Sequence, residues 1–197
     1  MKFLKSQRGA MFGLDARIAM AIIAALSLVG GMALTMTVSD VKAKALMKDL
    51  ESYKAAVEAL QYDVKANIQT ITTSGTSVDA FRVLNDSSLL LPAYQAKWYG
   101  PYLKVRTNDA GTNENYGDMR LQVGTQTNVS AAGSCGSACY YWIRVDDVPY
   151  NDFMVVNEIL DGANETNPDT SGRLQWRADT GSAPDRIFYM SGRVVRG

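Results

Sequence analysis

The chain begins with two long segments whose hydrophobic patterns differ. From Ile18 to Ser39 every residue is uncharged, and most are apolar. At ~1.5 Å per residue, a helix over this run reaches ~33 Å, close to the ~30 Å hydrocarbon core of a bilayer. The run therefore predicts a membrane-spanning helix.

The second segment has the spacing of a one-sided helix. Its apolar residues recur every three or four positions, at Leu46, Leu50, Tyr53, Val57, Leu60, Val64 and Ile68. This period is typical of an amphipathic helix that packs one face on a core. Because no proline interrupts residues 14–69, we expect both segments to form one continuous helix, with the stripe of its second half against a sheet.

Alternating apolar and polar positions predict short strands in the rest of the chain. The first strand follows a turn at 98–102 and ends at Arg106. The others lie at 119–123, 140–145, 173–177 and 186–190. Pro149 and Gly162 are suited to the two ends of a short helix over 152–160. The order predicts an α+β fold in which the long N-terminal helix, membrane-spanning in its first half, packs on an antiparallel sheet.

Composition excludes several classes of function. The 197 residues are 47% hydrophobic and carry no net formal charge, which suits one anchoring segment and one globular domain. Without residues 1–10, which hold three basic groups and no acid, the net charge is 17 − 20 = −3, so we expect no nucleic-acid partner. Histidine is absent, which removes the commonest general base and metal ligand. We therefore expect the chain not to be an enzyme.

The start of the chain resembles a known processing signal. Three basic residues precede the small residue Ala10, and the acid Asp15 stands just before the apolar run; the basic residues are Lys2, Lys5 and Arg8. This junction resembles the class III signal of type IV prepilins and pseudopilins. The resemblance implies a pilin-like chain that is cleaved between Ala10 and Met11 and N-methylated at Met11. It divides the chain into a leader over 1–10, a transmembrane and assembly helix over 11–40, and a globular domain over 41–197.

Two positions depart from the family pattern. The family usually has glycine before the cut and glutamate at the fifth mature position, where this sequence has Ala10 and Asp15. Cleavage after Gly9 would restore the glycine but would make Asp15 the sixth residue. The resemblance further implies that Asp15 pairs with the N-terminal amine of a neighbouring copy during assembly, and Arg17 is a competing partner for that carboxylate.

The resemblance implies a structural subunit of a type IV pilus-like filament. Prepilin peptidase would process a single-pass precursor in the bacterial inner membrane, in contact with membrane lipid. An assembly platform would then polymerise it with copies of itself and other pilins into a periplasmic or extracellular filament.

Three alternatives remain open for this N-terminal region. A pseudopilin of a type II secretion system shares the same assembly chemistry. A membrane-tethered binding domain would never polymerise. A cleavable secretory signal ending at residues 43–45 would need an apolar stretch of roughly 7 to 15 residues, shorter than this one.

The two cysteines of the chain lie close together in a stretch of small residues. Cys135 and Cys139 are separated by Gly136, Ser137 and Ala138. If the domain faces an oxidising compartment, as the signal implies, we expect a disulfide that closes a short ring. A ring of this size constrains the unfolded chain only slightly, so the bond is expected to give local rigidity.

Oxygen-bearing side chains cluster after the predicted short helix. They are Asp161, Asn164, Glu165, Asn167 and Asp169. Calcium prefers such ligands, and some pseudopilins hold calcium in a C-terminal loop, so a site built on Asp161, Asn164 and Asp169 is one interpretation. Turn chemistry alone is the other, because Asn and Asp favour turns without any ion.

The leader generates a direct prediction. A small residue at Ala10 admits the peptidase, so Ala10→Leu should leave the precursor uncut, as mass spectrometry of the intact N-terminus would show. A wild-type chain that starts at Leu46 would instead establish the secretory signal.

Overall fold

The computed structural model describes residues 8–103, 111–113, 115–127, 129, 138–163, 167–168, 170–178 and 185–194. For residues 8–17 and 28–39 it describes the backbone alone. The chain divides into two compact units after Val41.

The described part of the chain contains four α-helices, four strands and two short 3₁₀ helices. In chain order they are α1 (Arg8–Val64), a 3₁₀ turn (Ile68–Thr70), α2 (Ser77–Arg82), a second 3₁₀ turn (Ser87–Leu89), α3 (Pro92–Gln95), β1 (Met119–Gly124), β2 (Tyr140–Asp146), α4 (Tyr150–Leu160), β3 (Leu174–Arg177) and β4 (Arg186–Arg193).

The second half of α1 and the 3₁₀ turn after it, which holds Ile68, bury the stripe that the spacing predicts. All seven stripe residues, from Leu46 to Ile68, are at most 2% exposed. They belong to one core with residues of the sheet, among them Leu121, Ile143 and Tyr189. Burying a side chain of this size contributes about 1.5–3 kcal/mol relative to leaving it in water, so this face of the helix is a main source of the domain's stability.

The four strands form one antiparallel sheet in the order β1-β2-β4-β3. Leu121 pairs with Ile143, and Ile143 with Tyr189, so these residues face the main core. On the opposite face Trp142 and Phe188 form a second cluster with Val129. Both faces of the sheet are therefore covered by apolar contacts.

The segment before β1 covers the predicted turn at 98–102 and the beginning of the strand expected after it. Residues 98–103 have no regular secondary structure, and the Gly100–Pro101 peptide bond is cis. Because proline has no backbone N–H, it cannot donate to a strand ladder. The rest of the predicted strand, residues 104–106, lies outside the described residues.

The predicted fold class is wrong in its membrane-spanning first half. The structure is α+β with a four-stranded antiparallel sheet, but no helix in the described part of the chain is long and apolar enough to cross a membrane. A single-pass precursor thus has no support from the structure.

Candidate functional site

The residues expected to act in processing and assembly all lie on α1. Ala10, Met11, Asp15 and Arg17 have helical backbone, but their side chains lie outside the described residues. The structure therefore places these four positions on the first turns of one helix and gives no contacts for them.

The next turns of α1 expose an apolar surface, which we name the apolar helix segment, residues 18–27. Every side chain in it is exposed. Its large apolar members are between 52% and 70% exposed, and they are Ile18, Met20, Ile22, Ile23 and Leu26. At about 100° per residue these five positions cover roughly 200° of the helix circumference.

This arrangement differs from that of an ordinary surface helix. A globular protein buries a single apolar stripe, whereas a helix that is apolar around most of its circumference is normally buried by partners on several sides. Each 100 Å² of apolar surface removed from water contributes about 2.5 kcal/mol. The apolar helix segment thus leaves apolar surface uncovered on more than one side in the single chain.

Cys139 is buried directly before β2 and takes part in a disulfide. Its carbonyl oxygen accepts a hydrogen bond of 2.9 Å from the N–H of Val194, just after β4. Cys135, the other cysteine of the chain, lies outside the described residues. The pairing of these two cysteines remains a prediction.

Asp161 holds the start of the edge strand β3. Its Oδ2 accepts hydrogen bonds of 2.8 Å from the backbone N–H groups of Arg173 and Leu174, and its Oδ1 lies 3.5 Å from Arg173 Nε. The N–H of Trp176 donates to Pro168 O at 3.1 Å. The N–H groups of Leu174 and Trp176, which an edge strand would otherwise offer to another chain, are thereby satisfied.

This geometry bears on the candidate calcium site. Both carboxylate oxygens of Asp161 already contact protein donors, and Asn164 and Asp169 lie outside the described residues. Over the ranges that the structure describes, no three Cys, Asp or Glu side chains lie together as metal ligands. The observed role of Asp161 is therefore the positioning of β3.

A buried polar network joins α1 to α4 and was not predicted from the sequence. Asn113 Nδ2 donates to Tyr53 Oη at 3.2 Å and to Asp49 Oδ2 at 3.4 Å. Three residues later, Tyr116 Oη donates to Asp152 Oδ2 at 3.1 Å. Burial and the nearby Asp152 carboxylate raise the pKa of Tyr116. The partners are far apart in sequence, so no local spacing could have revealed them.

Two more tyrosines hold the C-terminal end of α1. Tyr102 Oη donates to Asp63 Oδ2 at 2.6 Å, and burial together with this bond raises the pKa of Tyr102 to about 12. Tyr141 Oη accepts from the N–H of Ile68 at 2.8 Å. These bonds attach the helix end to the sheet and to the segment after α3, and they suit a structural role.

The chain was compared with known protein families, curated proteins and solved structures. No known protein family matches the chain, and no curated protein or solved structure is significantly similar to it.

The Asp161 contacts generate a stability prediction. Asp161→Ala leaves the N–H groups of Arg173 and Leu174 without their acceptor, so the free energy of unfolding should fall by about 1–3 kcal/mol in denaturant titrations. Glu158→Ala, at an exposed position of α4, is the matched control and should change it by less than about 0.5 kcal/mol. Equal effects of the two substitutions would contradict the assigned role.

A calcium-dependent rise in wild-type stability, abolished by Asp161→Ala, would instead establish the calcium site.

Proposed function

We propose that this chain is a structural subunit of a type IV pilus-like filament, processed by a prepilin peptidase and polymerised through its N-terminal helix. The observation that carries the proposal is the apolar helix segment, whose large side chains stay more than half exposed in the single chain. It follows directly on a basic leader, a small residue and an acid, the junction that resembles the prepilin signal.

The hydrophobic effect supplies the driving force for assembly. A helix with apolar residues over roughly 200° of its circumference cannot bury them all against one partner helix. A helical polymer solves this problem, because each copy contributes the same segment and meets several neighbours. The 42–197 unit has its own core, so it needs no contribution from this segment to fold.

Electrostatics would set the register of the copies. In the mature chain Met11 carries a positive amine, and Asp15 offers a carboxylate four residues later. A contact of ~4 Å between the amine of one copy and the carboxylate of another is worth about 4 kcal/mol at an effective dielectric constant of ~20, before desolvation. Arg17 competes for the same carboxylate and weakens the preference without removing it.

The proposed location is a filament in the periplasm or outside the cell, made of copies of this chain together with other pilins. Disulfides persist in oxidising compartments, and Cys139 is disulfide-bonded, which supports an extracytoplasmic location for the 42–197 unit. The proposed role is structural, so it requires neither a catalytic residue nor a cofactor of this chain.

The proposal predicts that Asp15 acts in assembly and hardly affects the stability of the 42–197 unit. Asp15→Ala should lower the amount of filament sheared from cells, while the thermal unfolding midpoint of the chain stays unchanged because Asp15 is outside the core of that unit. Arg17→Ala should impair assembly less than Asp15→Ala does. A wild-type filament yield from Asp15→Ala would exclude the charge pairing.

The apolar helix segment generates a second prediction. Leu26→Lys places a charge among surfaces that are buried in the filament, and since an unpaired buried charge is strongly unfavourable, the sheared fraction should lose the protein. Ala45→Lys adds the same charge at an exposed position of the second half of α1 and should leave the yield close to wild type. If both variants assemble like the wild type, the segment is not the polymerisation surface.

A further inference from the structure

The turn after α2 presents an asparagine side chain to solvent. The N–H groups of Asn85 and Asp86 both donate to Arg82 O, at 2.9 and 3.1 Å, which closes the turn. Val83 and Leu84 before it, and Leu90 after it, are fully buried. The backbone is therefore held by the core on both sides, while Asn85 itself is exposed.

The Asn85 side chain takes no part in the hydrogen bonds that close this turn. Within the described ranges its amide group has no hydrogen bond to another residue. The neighbouring Asp86 instead does the local work, because its Oδ1 accepts from the N–H of Ser88 at 2.9 Å and caps the following 3₁₀ turn. Hydrogen bonding to the Ser88 side chain and to its backbone N–H lowers the pKa of Asp86. The Asn85 amide is thus available for chemistry without cost to the structure.

Asn85, Asp86 and Ser87 form an Asn-x-Ser triplet without proline at the central position, the acceptor motif of N-linked glycosylation. The motif has meaning only in a chain that leaves the cytoplasm, and the disulfide at Cys139 indicates an oxidising compartment. Two other triplets, 128–130 and 164–166, share the pattern but include positions outside the described residues. Asn85 is the acceptor whose surroundings the structure describes.

We propose that Asn85 carries an N-linked glycan. The sugar donor is a lipid-linked oligosaccharide. Two residues before Asn85 lies Val83, which is not an acid, so the transferase that uses this donor must recognise Asn-x-Ser/Thr without a preceding acid. The amide nitrogen of Asn85 forms a bond to the anomeric carbon, the bond from that carbon to the phosphate oxygen breaks, and the lipid phosphate leaves with the electron pair. One amide proton passes to a base of the transferase, and Ser87 is the residue that the transferase recognises.

Mass spectrometry of the tryptic peptide over residues 83–97 tests this site in the full chain purified from its native producer. The peptide ends at Lys97, follows Arg82 and contains Asn85 as its single asparagine. It should carry a glycan mass that an N-glycosidase removes with conversion of Asn85 to Asp. A peptide found only in its unmodified form would overturn the proposal.

Substitutions separate this site from other modifications. Asn85→Gln and Ser87→Ala should both lose the glycan, whereas Ser87→Thr should keep it. The unfolding midpoint of Asn85→Gln should equal that of the unglycosylated wild type, because the amide has no hydrogen bond among the described residues. Asn115→Gln, at an exposed asparagine outside any such triplet, is the control and should leave the peptide's glycan in place. A glycan that persists in Ser87→Ala would refute recognition of the Asn-x-Ser triplet.

Filament yield plays no part in these readouts, so the failure of the glycan proposal and the failure of the filament proposal are independent.

Discussion

The 42–197 unit depends on the burial of one face of α1 against an antiparallel sheet. Leu50, Val57 and Leu60 have no exposed surface, and they share a core with Leu121 and Ile143 of the sheet. Apolar burial sets the position of the helix. Hydrogen bonds from side chains then fix details that burial leaves free, because a buried donor or acceptor without a partner costs about 1–3 kcal/mol.

The same helix carries a second surface for which this unit has no use. Along residues 18–27 large apolar side chains stay more than half exposed, whereas the stripe from Leu46 onward is buried. The stripe holds the 42–197 unit together, and in the proposed filament the exposed surface would hold the copies together. A substitution in residues 18–27 should therefore change assembly without changing the core, and one in the stripe should do the reverse.

Local patterns in the sequence were sufficient for most elements of the fold. The 3.6-residue period of α1, the alternation in β1, β2, β3 and β4, and the Pro149 and Gly162 signals around α4 depend on neighbours within a few positions. The predicted membrane-spanning half of α1 is wrong, since no helix in the described part of the chain is long and apolar enough to cross a membrane. The strand expected between residue 102 and Arg106 lies, apart from Leu103, outside the described residues and stays a prediction.

The candidate site was only partly accessible from the sequence. The junction around Ala10 and Asp15 is a local signal, and what it implies for processing and assembly stays a prediction. The Asn113 and Tyr116 hydrogen bonds to α1 and α4, and the use of Asp161 to hold β3, join residues distant in the chain, and polar side chains in loops give no sign of such partners. An Asn/Asp-rich loop therefore suggested ion ligands where the structure shows Asp161 bonded to backbone N–H groups.

Cryo-electron microscopy of material sheared from cells that produce the wild-type chain tests the central claim most directly. The account predicts a helical polymer of this chain in which residues 18–27 of each copy pack against the same residues of several neighbours and are shielded from water. A polymer in which residues 18–27 face solvent, or mature chain recovered only as monomers, would contradict it.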